Sequence, residues 1–371
     1  MKTDTVKTTL IDGSKIITEG LVRAGADVFI GYPITPSNLF YSYGQKRFPS
    51  FYAAPDEITV MQWMSGFSAA GKIPVTATAF PGLALMVESL NMAYMMELPM
   101  VLVIVQRLGP STGSATTGAQ GDLAVLNGII SGGYPLPVFC PSNFEDAWEL
   151  SEKSIKTAIE FRTPVILLTS KEMIMTNKSF DLSKLGQINK VAKPELKMNG
   201  EYKPYKPGND LVPPFLPVSN TEYQVRINAS THDYEGMINK NSPESLGNTK
   251  RLKEKFEKRI SELTIYDHDK EEGAEKLIVT YGISTDASRD AVIEMRSNGK
   301  KVSLLILKTL IPISDEDMDI MDSYKELTFV EENISGQLKE MIYGKRNYKH
   351  IKKVNKIGSM IDPHEIINKV L

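Results

Sequence analysis

Hydrophobic positions recur along this chain in two alternating periods. Residues 14–24 repeat at helical spacing, and residues 26–31 then form a short apolar run ending in Gly31-Tyr32-Pro33. Residues 50–54 read as extended, 56–70 as helical, 75–79 as a strand and 83–96 as a helix. The clearest strand is 100–106, whose Met-Val-Leu-Val-Ile-Val run is continuous, as expected when both faces are covered. A helix over 144–161 precedes a strand over 164–168. Strands alternating with helices predict a parallel sheet wrapped on both faces, in a domain spanning residues 1–179.

From 180 to 273 the pattern dissolves. Lys203-Pro204-Tyr205-Lys206-Pro207 and Val212-Pro213-Pro214-Phe215 favour an irregular connector, too long for a bare linker and expected to drape over the domains. A charged helix is expected near its end, over 246–263. Residues 274–371 return to α/β texture, with strands over 277–281, 302–307 and 327–331 and a helix over 285–297. The last helix has an entry signal in Asp362, Pro363 and Glu365 at the N-cap, first and third positions.

Composition narrows the classes. Of 371 residues, 43 are Lys or Arg and 45 are Asp or Glu, so the net charge of −2 offers no cation excess for a nucleic-acid surface. With 42% hydrophobic and 24% charged residues, the chain reads as globular and not disordered. Its single cysteine, Cys140, excludes a Cys-ligated iron–sulfur or zinc centre built by this chain alone, and the histidines show no metal-ligand spacing. No metal site is expected here. The start of the chain lacks an apolar run of signal-peptide type, and residues 83–105 are interrupted by Glu88, Asn91, Glu97 and Pro99, so neither a leader nor a membrane span is read and a cytoplasmic location is expected.

Candidate chemistry lies where open α/β sheets bind ligands, at the carboxyl ends of strands. Pro33 and Pro36 stiffen the first turn and fix the Thr35 hydroxyl, while Ser37 is expected to cap the next helix. This turn reads either as a rigid connection or as a pocket wall. Asp56-Glu57 opens a helix, either complementing its dipole or presenting a proton-relaying carboxylate. Periodicity places Ile58, Met61 and Ser65 on the core face. The small-sided run from Ser65 to Gly71 suits close helix packing, including across a subunit interface. Arg107 ends the clearest strand and begins a long Gly/Ser/Thr loop that suits a carboxylate or phosphate. A surface arginine with an ordinary loop is the alternative.

Several motifs occur together in order: Tyr32-Pro33-Ile34-Thr35-Pro36-Ser37, Asp56-Glu57-Ile58, Gln106-Arg107 with Gly109-Pro110-Ser111-Thr112-Gly113, and Gln120-Gly121-Asp122-Leu123. Arg162-Thr163-Pro164, Val212-Pro213-Pro214-Phe215, His232-Asp233, Val330-Glu331-Glu332-Asn333 and Gly336-Gln337-Leu338 follow. Taken together the chain resembles the alpha subunit of the 2-oxoacid:ferredoxin oxidoreductases, particularly the 2-oxoglutarate type. The resemblance departs at Pro55, at Ala79-Phe80-Pro81-Gly82 and at Thr117-Gly118-Ala119, where the family pattern has other residues.

The resemblance implies a transketolase-like α/β fold: a thiamine diphosphate pyrimidine-binding domain over 1–179 and a transketolase-type C-terminal domain over 274–371. It implies oxidative decarboxylation of a 2-oxoacid, with 2-oxoglutarate expected and branched-chain acids or pyruvate as alternatives, giving acyl-CoA, carbon dioxide and reduced ferredoxin. Glu57 matches the family glutamate that hydrogen-bonds the aminopyrimidine ring, with Pro33, Ile34 and Gly82 also expected at the cofactor. Thr35, Arg107, Ser111 and Thr112 are expected at the substrate, Thr35 and Arg107 at its carboxylate. Thiamine diphosphate would be shared with a beta subunit. Mg2+ and an iron–sulfur cluster would come from partner chains, including gamma and delta subunits where present, and CoA would be a co-substrate. The alternatives of other classes are a non-catalytic subunit that keeps the fold and a two-chain thiamine enzyme without ferredoxin.

Overall fold

In the computed structural model the described residues are 8–194 and 201–371. The first seven residues of the expected N-terminal domain and 195–200 of the expected connector lie outside them. The N-terminal part runs β1 (Thr8–Ile11), α1 (Gly13–Ala24), β2 (Val28–Gly31), α2 (Asn38–Arg47), β3 (Ser50–Ala53), α3 (Glu57–Ala69), β4 (Pro74–Thr78), α4 (Phe80–Met95) and β5 (Met100–Gln106). It continues through α5 (Leu123–Asn127), β6 (Val138–Phe139), α6 (Phe144–Phe161), β7 (Pro164–Ser170), α7 (Lys171–Met175) and β8 (Lys178–Asp181). After the connector come α8 (Pro243–Glu257), β9 (Tyr266–Asp269), β10 (Lys276–Thr280), α9 (Ser284–Ser297), β11 (Ser303–Leu307) and β12 (Thr309–Ile311). The chain closes with α10 (Asp315–Asp322), β13 (Glu326–Glu331), α11 (Gln337–Tyr343), β14 (Ile351–Asn355) and α12 (Pro363–Val370).

The strand with the purest apolar run sits where its sequence demands. β5 is buried along its whole length and pairs in parallel with β4 on one side and β7 on the other. Around it a seven-stranded sheet has the order β12-β6-β7-β5-β4-β2-β3. A second sheet has the order β14-β13-β10-β11-β9, and β1 pairs with β8 apart from both. One continuous apolar core reaches from the first sheet into the second, and a smaller one lies under α9 and α12.

Two strands cross the expected divisions. β12, from the third section, adds antiparallel to β6 and so extends the N-terminal sheet. β9, from the end of the connector, forms the antiparallel edge beside β11. Both are short, and the pairing that places them is long-range, so no local periodicity announces them.

The entry signal of α12 is realised as a capping box: Asp362 accepts from the His364 backbone at 2.8 Å, and Glu365 accepts from the Asp362 backbone at 2.8 Å. Ser37 behaves otherwise. It stands before α2, but its hydroxyl donates to the carbonyls of Ile34 and Ala77 at 2.9 and 3.4 Å and leaves the helix uncapped. The charged helix begins earlier than its apolar positions suggest, at Pro243, because Ser242 caps it by accepting from the Ser245 backbone at 3.1 Å. On α3 the buried stripe is Glu57, Val60, Met61, Met64 and Ser68, while Ile58 is 44% exposed. The stripe is displaced from the expected one, and the displacement puts Glu57 on the inner face.

The connector drapes through one buried polar clasp. Arg162, in left-handed conformation at the end of α6, donates to the carbonyls of Pro204, Pro213 and Pro214 at 3.3, 3.2 and 2.8 Å. Prolines lack an N–H but keep a carbonyl, so a proline-rich chain is well suited to a guanidinium fork. Beneath it Glu97 pairs with Arg251 and, at 3.0 Å, with Lys255.

Candidate functional site

The carboxyl ends of β2, β3, β4 and β5 converge on two groups of side chains. The first is built on the start of α3. Asp56 caps that helix, accepting from the Thr59 backbone at 2.7 Å, and is exposed. This division of labour frees Glu57, which is 6% exposed and takes no hydrogen bond among the described residues. Its carboxylate lies against Gly82 in the first turn of α4. A methyl at Gly82 would stand 2.8 Å from Glu57 Oε1, 2.7 Å from its Cγ and 2.1 Å from Thr78 Oγ1. Only glycine lets α4 approach so closely, and the approach gives Glu57 a narrow polar corner. The side chain is buried but the carboxylate oxygens are not sealed in, so another molecule can reach them with a donor.

The second group surrounds Arg107 at the end of β5. Its Nη1 donates to the Thr35 carbonyl, so the turn after β2 and the end of β5 are tied together. The contact uses the Thr35 backbone, and the Thr35 hydroxyl has no partner among the described residues. Arg107 is 6% exposed and its Nε is buried without an acceptor. The loop beyond folds back on itself: Ser114 donates to the Leu108 carbonyl at 2.8 Å, and Leu108 to that of Thr117 at 2.7 Å. Gly113, at φ +49°, is required there, since a Cβ would fall 1.8 Å from the Leu108 carbonyl oxygen.

A cavity of about 280 Å³ opens beside Arg107, walled by Phe80, Leu108, Pro110, Ser111, Asp122 and, from the second sheet, Glu332. The two walls are joined by Gln120. Its Nε2 donates to the Tyr281 carbonyl at 2.7 Å, and its Oε1 accepts from Ser284 Oγ at 2.6 Å and from the Glu332 backbone at 2.8 Å. Gln337 completes the joint, donating to the Gly121 carbonyl and accepting from the Ala124 backbone, both at 2.8 Å. Burial pushes the Asp122 carboxyl up to about 7 against the opposing pull of Arg107. Burial also lifts Glu332 to about 7, despite a hydrogen bond from the Ile361 backbone, with Glu172 adding repulsion.

The predicted residues are thus placed unevenly. Glu57 and Gly82 meet, as do Arg107 and Thr35; Ser111 reaches the cavity, whereas Thr112 is exposed and is not among the residues walling it. Pro33 is exposed and Ile34 half-buried in the turn that carries Thr35. Phe80, Asp122 and Glu332 were not singled out as site residues. The rule that led to Arg107 applies equally to β13, an apolar strand ending in Glu331-Glu332-Asn333, and would have found Glu332.

Residues 19–250 match the family of pyruvate flavodoxin/ferredoxin oxidoreductase, thiamine diphosphate-binding domains. Residues 274–366 match pyruvate:ferredoxin oxidoreductase core domain II. The 2-oxoglutarate synthase subunit KorA of Methanocaldococcus jannaschii is 29% identical over 99% of this chain and 100% of its own. The ketoisovalerate oxidoreductase subunit VorB of Methanothermobacter thermautotrophicus is also 29% identical, over 98% of this chain and 97% of its own. The structure of 2-oxoglutarate:ferredoxin oxidoreductase from Magnetococcus marinus, with 2-oxoglutarate, coenzyme A and succinyl-CoA bound, superposes with a TM-score of 0.88 at 27% identity. That match covers 97% of this chain and 64% of the other. A split-gene transketolase, at 14% identity and a TM-score of 0.53, shares the fold alone. With its first 250 residues matched from position 19 and its second sheet matched in turn, the chain belongs to the pyruvate flavodoxin/ferredoxin oxidoreductase, thiamine diphosphate-binding family, as an alpha-type subunit of a 2-oxoacid:ferredoxin oxidoreductase.

Proposed function

We propose that this subunit binds the pyrimidine half of thiamine diphosphate at Glu57 and the carboxylate of a 2-oxoacid at Arg107, in the oxidative decarboxylation of 2-oxoglutarate. The observation that carries the reading is the largely buried Glu57 side chain, packed against Gly82, whose carboxylate takes no hydrogen bond among the described residues and stays open to a donor from outside. A planar aminopyrimidine, with donors and acceptors on one edge, would supply a donor to that carboxylate.

When bound, thiamine diphosphate supplies the means of stabilising the carbanion that decarboxylation leaves. Glu57 would hold the aminopyrimidine ring by a hydrogen bond and would store and return a proton there. Pro33 and Ile34 hold the turn that positions Thr35. Arg107, fixed by the Thr35 carbonyl, turns its remaining donors to the 2-oxoacid carboxylate, with the Thr35 hydroxyl as a second donor. The substrate loses carbon dioxide, its acyl group passes to the sulfur of CoA, and two electrons pass to ferredoxin.

A beta subunit is assigned the diphosphate- and Mg2+-binding domain and the iron–sulfur cluster, with gamma and delta subunits where present, in the cytoplasm. The outward side of α3, with Ile58, Trp63 and Phe67, and Tyr52 of β3 beside it, supports such a partner: it is an apolar surface on the helix that opens with Glu57, so a domain seated there would lie next to the cofactor corner. A second reading, a branched-chain 2-oxoacid, is favoured by the apolar wall of Leu108, Pro110, Ile334 and Ile357, in which Arg107 is the one cation among the described residues. Purification with the native partner chains, followed by ferredoxin reduction across 2-oxoglutarate, 2-oxoisovalerate and pyruvate, decides between them. Activity with none of the three would reject the proposal.

A further inference from the structure

Asp122 stands directly before α5, where an aspartate ordinarily caps the helix, yet its side chain makes no capping hydrogen bond. Its Oδ2 is buried and has no partner. Arg107 Nε is likewise buried and unpartnered, and both residues wall the same cavity. The loop cannot relax to relieve this. It is tied on both sides of Asp122: Gln120 binds Tyr281 and the Glu332 backbone, Gln337 bridges Gly121 and Ala124, and the Asp122 backbone itself donates to Gln106 Oε1 at 3.5 Å. A carboxyl and a guanidinium thus wall one cavity, each with a buried unpartnered atom, and no salt bridge closes between them.

We propose that Asp122 is a positioning residue for Arg107: ionised, it keeps the guanidinium as its own counter-ion, and protonated, it releases that charge to the carboxylate of the incoming 2-oxoacid. The proposal rests on the assignment of Arg107 to substrate capture. Burial holds the Asp122 carboxyl near pH 7, so both forms are populated under ordinary conditions. The other titratable or charged groups around it are Arg107 from the end of β5, Tyr281 after β10, whose hydroxyl is pushed up mainly by burial and in part by Asp122, Glu332 from the end of β13, and behind Glu332 the Glu172 carboxylate on α7 and Lys356 beyond β14. Glu332 titrates in the same range as Asp122 but does not oppose Arg107 directly, and this separates the two acids experimentally.

The test uses the complex assembled with its partner chains and cofactor. For the wild type, KM for the 2-oxoacid should rise about tenfold between pH 6 and pH 8, the span of a single group titrating near 7, with little change in kcat. Asp122→Asn, which keeps the shape but cannot ionise, should hold KM flat near its low-pH value. Glu332→Gln should keep the wild-type slope. A wild-type slope in Asp122→Asn, a flat profile in Glu332→Gln, or a pH-independent loss of kcat in Asp122→Asn would each overturn the proposal. A second measurement needs no variant. Calorimetric binding of a non-reacting 2-hydroxy acid to the wild-type complex at pH 8, in two buffers of different ionisation enthalpy, should show uptake of nearly one proton, and zero uptake would overturn it. Arg107→Ala separates this from the underlying reading. If it leaves KM unchanged, substrate capture by Arg107 fails and this inference falls with it. If it raises KM while Asp122→Asn keeps the wild-type slope, the inference alone fails.

Discussion

Glu97 and Asp122 are both buried acids in the N-terminal half, and their surroundings could hardly differ more. Glu97 is enclosed by Arg251, Lys255 and Arg162, and both carboxylate oxygens are hydrogen-bonded. Burial works to raise its carboxyl, but the three cations overcome it and hold it well below the ordinary carboxylate range. Asp122 has one guanidinium nearby, no side-chain hydrogen bond, and a carboxyl lifted to about 7. The first cluster fastens the connector and α8 to the sheet. The second stands at the cavity with its demands unmet. Buried charge fully answered from within the chain marks structure, and buried charge left short of partners marks a place that expects another molecule.

The largest effect expected from breaking this contrast is at Glu57, the other under-partnered acid. Glu57→Gln keeps its size but cannot relay a proton, so thiazolium C2-proton exchange in the assembled complex should slow by about 10²–10⁴-fold while the melting temperature stays put. Near-normal exchange would return Glu57 to the role of a helix-dipole acid. Next comes the fully paired acid. Glu97→Ala leaves three buried cations around a missing anion and should cost on the order of 3–5 kcal/mol in denaturant unfolding. If instead stability holds and turnover falls, the division between structural and chemical acids is wrong.

Smaller, and on the chemical side, Arg107→Ala should lower kcat/KM by roughly one to two decades, the worth of a charge-assisted hydrogen bond of about 1.5–3 kcal/mol. Loss with every 2-oxoacid places Arg107 at the shared carboxylate. Loss with 2-oxoglutarate alone, pyruvate being spared, places it at the distal one.

The last test is a pH dependence of stability, which develops gradually over several pH units. A carboxyl raised from its ordinary value to about 7 holds its proton more tightly folded than unfolded, so stability declines as pH climbs from about 4 to about 7 and then levels off. Asp122→Asn removes that decline. Its stability in denaturant unfolding should exceed the wild type's by an amount that grows by about 1.4 kcal/mol per pH unit between about pH 4 and pH 7, and the two should match at and below about pH 4. Glu97 has the opposite sign: its stabilisation is present above the ordinary carboxylate value and is lost as pH falls through its depressed one.

Local pattern was enough for the elements that carry their own signal. β5 is readable because seven consecutive residues are buried, and α12 because its cap is written in Asp362, Pro363 and Glu365. Ordered motifs were enough for the family and for Glu57 and Arg107 as candidates. Neighbouring acids, by contrast, cannot be told apart along a line. Asp56 and Glu57 differ in role because one helix turns 100° per residue, sending Asp56 to the cap and Glu57 to Gly82. Asp122 could be quoted as part of a motif but not weighed, since its burial and the guanidinium before it come from another strand.

The sequence by itself determined the α/β alternation, the family, the proline-rich connector and the residue types available for chemistry, because these depend on nearest neighbours and on order along the chain. Only the tertiary structure decided that Gln120 meets Tyr281 and Glu332 across more than 150 residues, that β12 crosses into the other sheet, and that one buried acid is answered by three cations while another is left facing a single arginine. Charge and burial acquire their value from what lies opposite in space, and no local period encodes that.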